Sequence, residues 1–493
     1  MKITPTFDEA ARLAGDYKVI PVSCEIYSDA VTPIEVLRKL KYVSRHCYLL
    51  ESAFADEKWG RFTFLGYDPK MEITCKDGVM NIKSGSTITV ETKTPRKTLR
   101  EIINDYKSPV IEGMPPFTGG LVGYFAYDYI KYSEPNLKIT AEDRDNFKDF
   151  DLMLFDKVIA FDNYKQKMIL IVNCRCDSLE SEYHKAEREL LDMRDLILNG
   201  SRSVEIGRAL SEPKPLFSRE EYCKMVEKAK QYITDGDIFQ VVLSNRIEMD
   251  FEGSLLDTYR VLRATNPSPY MFYFSGEDVE IAGASPETLV KLEGGELHTF
   301  PLAGTRPRGK TENEDAALES ELLSDEKECA EHNMLVDLGR NDLGRICKFG
   351  TVNVEKYMDV LRFSHVMHIG STVRGTIDEK YDALDAIASV LPAGTLSGAP
   401  KFRACQIIDE LENNKRGIYG GAIGYIDFAG NMDTCIAIRI AYKKNNKVFV
   451  RSGAGIVADS VPENEYRECI NKAQAVISAI SEAQGGIDND FAD

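Results

Sequence analysis

An α+β fold is what the sequence predicts, on three observations. Residues 154–176, "LFDKVIAFDNYKQKMILIVNCRC", place two β-branched and aromatic runs around a polar "DNYKQK" turn, the pattern of an antiparallel hairpin. Residues 181–200, "SEYHKAERELLDMRDLILNG", repeat apolar side chains at helical spacing and stop at Gly200. From residue 218 to about 475, strand and helix signals alternate between Gly-containing turns. Hairpin-type segments beside helices fit α+β better than a doubly wound parallel sheet.

Residues 1–200 mix short helices with strand signals. "SRSVEIGRALSEPKPLF", residues 201–217, holds two prolines and no sustained apolar period, and reads as a linker. "SREEYCKMVEKAKQYITDGD" then opens a helix, with Ser218 as N-cap and Glu221 three residues on, the spacing of a capping box. The expected division is therefore 1–200, a linker at 201–217, and 218–493. No internal repeat or low-complexity tract interrupts it.

Composition narrows the function. The 493 residues are 43% hydrophobic and 28% charged, as in folded globular proteins. A formal charge of −18 weighs against nucleic acid, since nothing here would release counterions from phosphates. No segment reaches the roughly 18–20 consecutive apolar residues that cross a bilayer, so no membrane role is expected. "MKITPTFDEAARLAG" is not a secretory signal, and eleven scattered cysteines suit reduced thiols in a cytoplasm. Cys174 and Cys176 in "NCRCD" lack a second Cys or His pair at metal spacing. The single tryptophan, Trp59, reads as packing.

The stretch 328–342, "ECAEHNMLVDLGRND", raises the chemical question. At 3.6 residues per turn, Glu328 and Glu331 continue the apolar stripe of Met334, Leu335 and Leu338. Carboxylates along a buried face cost several kcal/mol each, in order of magnitude, unless a cation meets them. A matching pair lies in "SVPENEYRECINKAQAVISAIS", a helix expected to start near Asp459 or Ser460 with Pro462 in its first turn. It carries Glu465 and Glu468, with Lys472 one turn beyond. Two converging pairs would supply hard oxygen ligands for Mg²⁺, which takes one or two carboxylates and completes its shell with waters and substrate oxygens. Glu-x-x-Glu is also common on solvated helix faces, so spacing alone leaves both readings open.

Small and polar residues lie between the pairs. "TFPLAGTRPRG" sets a Gly-Thr turn between strand-like edges, with backbone N–H groups available to an oxyanion. "SHVMHIGSTVRG" places His365 and His368 three apart; "LPAGTLSGAPK" offers the hydroxyls of Thr395 and Ser397. "RGIYGGAIGY" and "DTCIAIRI" contribute Tyr419 and Arg439. "RSGAGIVADS" lacks the third glycine of a dinucleotide loop. Arginine, backbone donors and a divalent cation together describe a pocket for a small polyanion.

Taken in series, "DIFQVVLS", "ASPETL", "PLAGTRPRG", "AEHNMLVDLGRNDLGRI", "LPAGTLSGAPK" and "RSGAGIVADSVPENEYREC" resemble the chorismate-utilising enzyme family, from about residue 5 to 480. "YLLESA" and "NPSPYMFYF" resemble the branch that makes anthranilate in the first committed step of tryptophan synthesis. The resemblance implies two stacked, mainly antiparallel β-sheets with helices packed outside. It implies chorismate as substrate, Mg²⁺ as cofactor, and ammonia from a separate glutamine amidotransferase subunit, since the chain carries no such extension. Glu331 and Glu468 would be direct Mg²⁺ ligands, with Glu328 and Glu465 around them. The ring carboxylate would meet the ion, the amides of Gly453, Ala454 and Gly455, Thr395 and Lys472. Tyr419, Arg439, Gly304 and Thr305 would bind the enolpyruvyl side. Glu287 would protonate the departing 4-hydroxyl, and His368 would move the ring proton as pyruvate leaves.

Relatives that add water at ring carbon 2 carry a lysine base where this chain has Gln240. Relatives that aminate carbon 4 carry a nucleophilic lysine where it has Ala303. Amination at carbon 2 is therefore expected; a carbon-4 amine synthase and a tryptophan-sensing homologue without catalysis are the alternatives. Leu50, Glu51, Ser52, Asn266, Pro269, Tyr270 and Met271, with Cys435, match an inhibitory tryptophan site.

Overall fold

The predicted hairpin forms: Lys157–Asp162 and Lys167–Arg175 pair antiparallel, with Asp162 facing Lys167. Met168, Leu170, Val172 and Cys174 enter one core while Ile169 and Ile171 enter another. A strand buried on both faces reads as a continuous apolar run, which is what "MILIV" is. The computed structural model describes residues 2–53, 60–362 and 366–487. Trp59 and His365 lie outside the described residues.

Among those residues two large antiparallel sheets form, of 14 and 12 strands. The first runs in the order Ile3–Thr4, Val19–Tyr27, Lys167–Arg175, Lys157–Asp162, Phe62–Tyr67, Cys47–Glu51, Tyr270–Ser275, Glu280–Ser285, Ile440–Lys444, Lys447–Ile456, Gln240–Glu252. The second includes Leu302–Pro307, Val366–Thr376, Thr288–Glu293, Met432–Ile436, Ala422–Asp427, Gly120–Phe125 and Phe150–Phe155. Both take strands from either side of residues 201–217: Tyr270–Ser275 pairs with Cys47–Glu51, and Ala422–Asp427 with Gly120–Phe125. The predicted linker itself is stitched to the sheet, its Arg208–Ala209 and Lys214–Pro215 pairing with Gln240–Glu252.

The sheets stack. Tyr48, Phe64, Phe272 and Phe449 of the first share a core with Tyr124, Met153, Phe155 and Ile423 of the second. Fully burying one such apolar side chain contributes about 1.5–3 kcal/mol. Helices close the outer faces: Leu179–Asn199, Leu256–Thr265 and Pro462–Glu482 on the first sheet, Glu326–Gly344 and Ala383–Val390 on the second. The helix at 219–234 opens with the predicted capping box of Ser218 and Glu221. No helix among the described residues is long and apolar enough to cross a membrane.

Candidate active site

Two strands form the floor of the site. Gln240–Glu252 pairs with Lys447–Ile456 so that Val242 faces Gly455, Leu243 faces Ala454 and Ser244 faces Gly453. Ile440–Lys444 covers the other edge of Lys447–Ile456 only as far as Val450. Among the described residues, no strand pairs with that edge at Gly453–Gly455, which leaves backbone polar groups there for another partner. A side chain is excluded at Gly453, where a Cβ would stand 2.6 Å from the Leu243 carbonyl and 3.1 Å from Tyr419 Oη, and one at Gly455, 2.6 Å from Gln240 Nε2, would displace that amide.

A buried ionic cluster fixes this floor. Glu412 accepts from Arg416 Nη2 at 2.6 Å and from Arg451 Nη2 at 2.7 Å. Arg416 also donates to the carbonyls of Leu396 at 2.5 Å and Val242 at 2.7 Å, while Arg451 Nε donates to Ser244 Oγ at 2.8 Å. The loop of Thr395 is thereby tied to both floor strands. Burial opposes the Glu412 charge, but the two guanidiniums hold its carboxyl below the ordinary value.

The first acidic pair sits on Glu326–Gly344, whose N-cap Asp325 accepts from the amides of Lys327 and Glu328. Leu335, Val336 and Leu343 are buried, and Glu328 and Glu331 are half-buried. What meets the carboxylates is now visible. Arg306 Nη1 stands 3.8 Å from Glu328 Oε1, and Gln240 Nε2 donates to Glu331 Oε1 at 3.3 Å. Burial and the neighbouring Glu331 and Asp325 raise the Glu328 pKa.

The second pair sits on Pro462–Glu482. Its N-cap is Val461, not Asp459 or Ser460, and it makes no side-chain cap; Pro462 fills the first position, where a missing N–H costs nothing. Ser460 Oγ instead accepts from the Val457 amide at 3.1 Å. Lys472 Nζ bonds Glu468 Oε1 at 2.6 Å and the Gly453 carbonyl at 3.2 Å. Burial and Glu468 raise the Glu465 pKa, against Ser460 and Lys327, so the acidic turns of the two helices feel each other's charges. The pairs are not closed into one cluster: among the described residues, no three of the four carboxylates bring oxygens within 4.8 Å of one another. Glu328, Glu331 and Glu468 each rest on a donor of the chain itself.

The expected Gly-Thr turn is a β-bulge. Leu302–Pro307 pairs with Val366–Thr376, and the register shifts between Ala303 and Arg306. Gly304 takes φ +64° at the bulge, and a Cβ there would stand 3.2 Å from Glu328 Oε2. The extra residue turns the Gly304 carbonyl to His368 Nδ1, at 2.9 Å, with Thr305 Oγ1 at 3.0 Å. A carbonyl only accepts, so Nδ1 carries the proton and Nε2 the lone pair. Burial lowers the His368 pKa, which keeps the ring neutral near pH 7.

Thr395 Oγ1 donates to Glu287 Oε1 at 2.9 Å, beside a cavity lined by both residues and by Phe300, Leu335 and Leu338. Burial pushes the Glu287 carboxyl up to about 7, against the Thr395 bond and the Lys472 charge. Ser397 turns away and donates to the Ala393 carbonyl at 2.8 Å. Tyr419 is buried under Gly453. Arg439 holds a left-handed φ of +53°, a strained backbone for a non-glycine residue, and donates to the Lys472 carbonyl at 3.0 Å. Among the described residues, Cys174 and Cys176 join no metal-type cluster.

Three participants escaped the sequence reading. Arg306 and Arg416 looked like ordinary basic residues. His332 is fully buried, its Nε2 at 2.6 Å from Ser371 Oγ and its Nδ1 without a hydrogen-bond partner among the described residues, joining the acidic helix to the His368 strand. As a lone histidine on a helix, it offered no spacing signal that could have found it.

The residues matched to a tryptophan site surround the adjoining strands Cys47–Glu51 and Tyr270–Ser275, where Glu51 faces Met271 and Leu50 faces Phe272. The structure divides them between two faces. Leu50, Tyr270 and Cys435 belong to the core between the sheets. Met271 packs into the outer core, and Glu51 accepts from Arg263 Nε at 2.6 Å on the outer helix. Alternation along a strand imposes that division. Ser52 and Pro269 are half-buried beyond the paired ends, where the Ala53 amide donates to the Ser268 carbonyl at 3.0 Å; Asn266 caps Leu256–Thr265. Tyr270 Oη reaches across to the second sheet, 3.0 Å from Thr288 Oγ1 and 2.8 Å from Asp433 Oδ1.

Comparison with known proteins gives the family. The family model for chorismate binding enzymes matches residues 45–478. Anthranilate synthase component 1 of Acetivibrio thermocellus is 47% identical over 97% of this chain and 99% of that protein. The Aquifex aeolicus protein of the same name is 45% identical over 98% and 99%. The crystal structure of anthranilate synthase component I from Streptococcus pneumoniae superposes with a TM-score of 0.76 at 38% identity, covering 92% of this chain and 98% of that one. The Escherichia coli menaquinone-specific isochorismate synthase, at 18% identity and a TM-score of 0.69, shares the fold. The chain belongs to the chorismate binding enzyme family, and within it to the anthranilate synthase component 1 proteins.

Proposed function

We propose that the chain is the synthase subunit that converts chorismate and ammonia to anthranilate and pyruvate, with Mg²⁺ as cofactor. Ammonia comes from a glutamine amidotransferase subunit, and tryptophan inhibits. The observation that carries this reading is Gln240. Its Nε2 is committed to Glu331, while its Oε1 is buried without a hydrogen-bond partner among the described residues. A neutral amide cannot deprotonate water, but an unsatisfied carbonyl oxygen can accept from an N–H of incoming ammonia, which is already a competent nucleophile.

The donor set suits a hard divalent cation. Glu328 and Glu465 are raised by burial and by their neighbouring carboxylates, a repulsion that a dication relieves. Glu331 and Glu468 would hold Mg²⁺ directly, Glu328 and Glu465 around it. When bound, the ion neutralises the ring carboxylate and polarises it as a Lewis acid. The amides at Gly453–Gly455 and the ammonium of Lys472 receive the same carboxylate. Tyr419, Arg439, Gly304 and Thr305 receive the enolpyruvyl side.

Ammonia adds at ring carbon 2, and the 4-hydroxyl leaves as water with the proton of Glu287. Its carboxyl, pushed up to about 7, keeps a large protonated fraction at neutral pH, where an ordinary glutamate has almost none. His368 Nε2 then takes the ring proton as the enolpyruvyl group departs as pyruvate, and aromatisation drives the step. Ala303 offers no nucleophile for amination through a covalent intermediate at carbon 4.

Tryptophan would act by favouring a state that binds chorismate less well. Tyr270 bonds Thr288, the neighbour of Glu287, which gives the inhibitor site a short route to the general acid. Regulatory and partner-contacting elements are assigned chiefly to 1–200 and catalysis to 218–493, with Asn266–Met271 and Cys435 completing the inhibitor site. Eleven free thiols suit a reducing cytoplasm.

The test is direct. Chorismate, Mg²⁺ and excess ammonium should yield anthranilate fluorescence without any partner subunit. Accumulation of a carbon-4 amine would overturn the reading in favour of an aminodeoxychorismate synthase. Tryptophan binding without turnover would leave a sensing protein.

A further inference from the structure

At the opposite end of the strand pair that carries Leu50 and Tyr270, three side chains converge that the reaction does not use. His46 precedes Cys47–Glu51, and Glu277 follows Tyr270–Ser275, with Cys47 facing Ser275 in register. Glu72 comes from Met71–Lys76 of the other sheet. One ligand atom from each lies within 4.8 Å of the others. Glu72 is only 6% exposed, and among the described residues its Oε1 has no hydrogen-bond partner; His46 Nε2 is likewise buried and without one there. The nearest approach, His46 Nε2 to Glu72 Oε2, is 3.7 Å, too long for a hydrogen bond. Leaving such atoms unsatisfied is costly, so a missing partner is indicated.

We propose that His46, Glu72 and Glu277 form a second cation site, structural rather than catalytic, that takes a first-row transition dication of the Zn²⁺ type and clips the two sheets together. An imidazole nitrogen with two carboxylates is a borderline donor set that suits Zn²⁺, whereas Mg²⁺ prefers oxygen alone. His46 and Glu277 supply the first sheet's ligands and Glu72 the second's, so one ion joins chain segments far apart in sequence. Lys83 faces Glu72 across the ladder and bonds Glu277 Oε2 at 2.7 Å; it occupies one oxygen of Glu277 and leaves the other. Lys148 is engaged by Asp151 at 3.2 Å and Asp278 at 3.1 Å. Burial opposes charge on Glu72, but His46, Lys148 and Lys83 hold its pKa below the ordinary value, so the ligand stays ionised.

The test uses the full chain, stripped with EDTA, desalted, and kept in excess Mg²⁺ so that the active-site carboxylates are not the reporter. Calorimetric titration with ZnCl₂ should show one tight equivalent, and the same addition should raise Tm. Glu277→Gln and His46→Gln should each weaken that equivalent at least about tenfold and remove the Tm rise, leaving the Mg²⁺-dependent rate unchanged. Glu277 is exposed, so its variant decides the matter even where His46→Gln folds poorly. Zn²⁺ binding of equal tightness in Glu277→Gln, or no tight equivalent in the unmodified chain, would overturn the site.

Discussion

Replacing Thr395 with valine should move the alkaline limb of the pH–rate profile upward. Burial favours the neutral form of Glu287 and sets its pKa at about 7, while the 2.9 Å bond from Thr395 favours the charged form. Removing a hydrogen bond to a charged group costs that form about 1.5–3 kcal/mol, which is about 1–2 pH units at 1.36 kcal/mol each. A general acid must hold its proton, so activity falls as pH rises through this pKa, and in Thr395→Val the fall should come at about pH 8–9. The assay is kcat/KM for chorismate by anthranilate fluorescence, with free NH₃ held constant across pH so that ammonium titration does not enter. A limb that stays in place, or moves down, would refute the role of this bond. The same displacement bears on stability. The Glu287 pKa is raised above its ordinary 4.5, so its protonated form contributes about 3 kcal/mol, complete below pH 4.5 and lost as pH rises through about 7.

His368→Met should slow pyruvate loss more than amination, so the aminated diene should accumulate in quenched samples; a block before amination would contradict the assignment. Ser52→Phe should relieve tryptophan inhibition while leaving the uninhibited rate similar, read as the shift of the inhibition curve. Arg416→Met leaves Glu412 buried with half its cationic support and frees the Thr395 loop. It should cost about 3–5 kcal/mol, seen as a lower urea midpoint at unchanged slope.

Much of this architecture was legible in local patterns. The hairpin at 154–176, the helix ending at Gly200 and the capping box at Ser218 depend on near neighbours, and all three formed. The acidic pairs were visible because carboxylates on an apolar stripe need an explanation. Of their partners, Lys472 was legible one turn beyond Glu468, but Arg306 and Gln240 reach the first pair through tertiary contacts that no spacing encodes. "PLAGTRPRG" reads as a turn, but pairing with the His368 strand on both sides of Gly304 makes it a bulge. Tyr270 and Met271 are neighbours in the matched tryptophan motif, yet alternation sends them to opposite faces. Two prolines and no apolar period suggested a linker at 201–217; two short stretches of it pair with the strand Gln240–Glu252, a tertiary contact that composition does not encode. His332 was passed over because a lone histidine on a helix carries no spacing signal.

The proposed reaction requires the acidic turns of Glu326–Gly344 and Pro462–Glu482 to act on one divalent ion. Crystals of the full chain with Mn²⁺ in place of Mg²⁺ and chorismate present, measured at the manganese edge, test that directly. An anomalous peak bonded to Glu331 and Glu468, with Glu468 released from Lys472 and the peak absent in Glu331→Gln, is the predicted result. Substrate bound in the cavity beside Glu287 with no peak near either pair would contradict it.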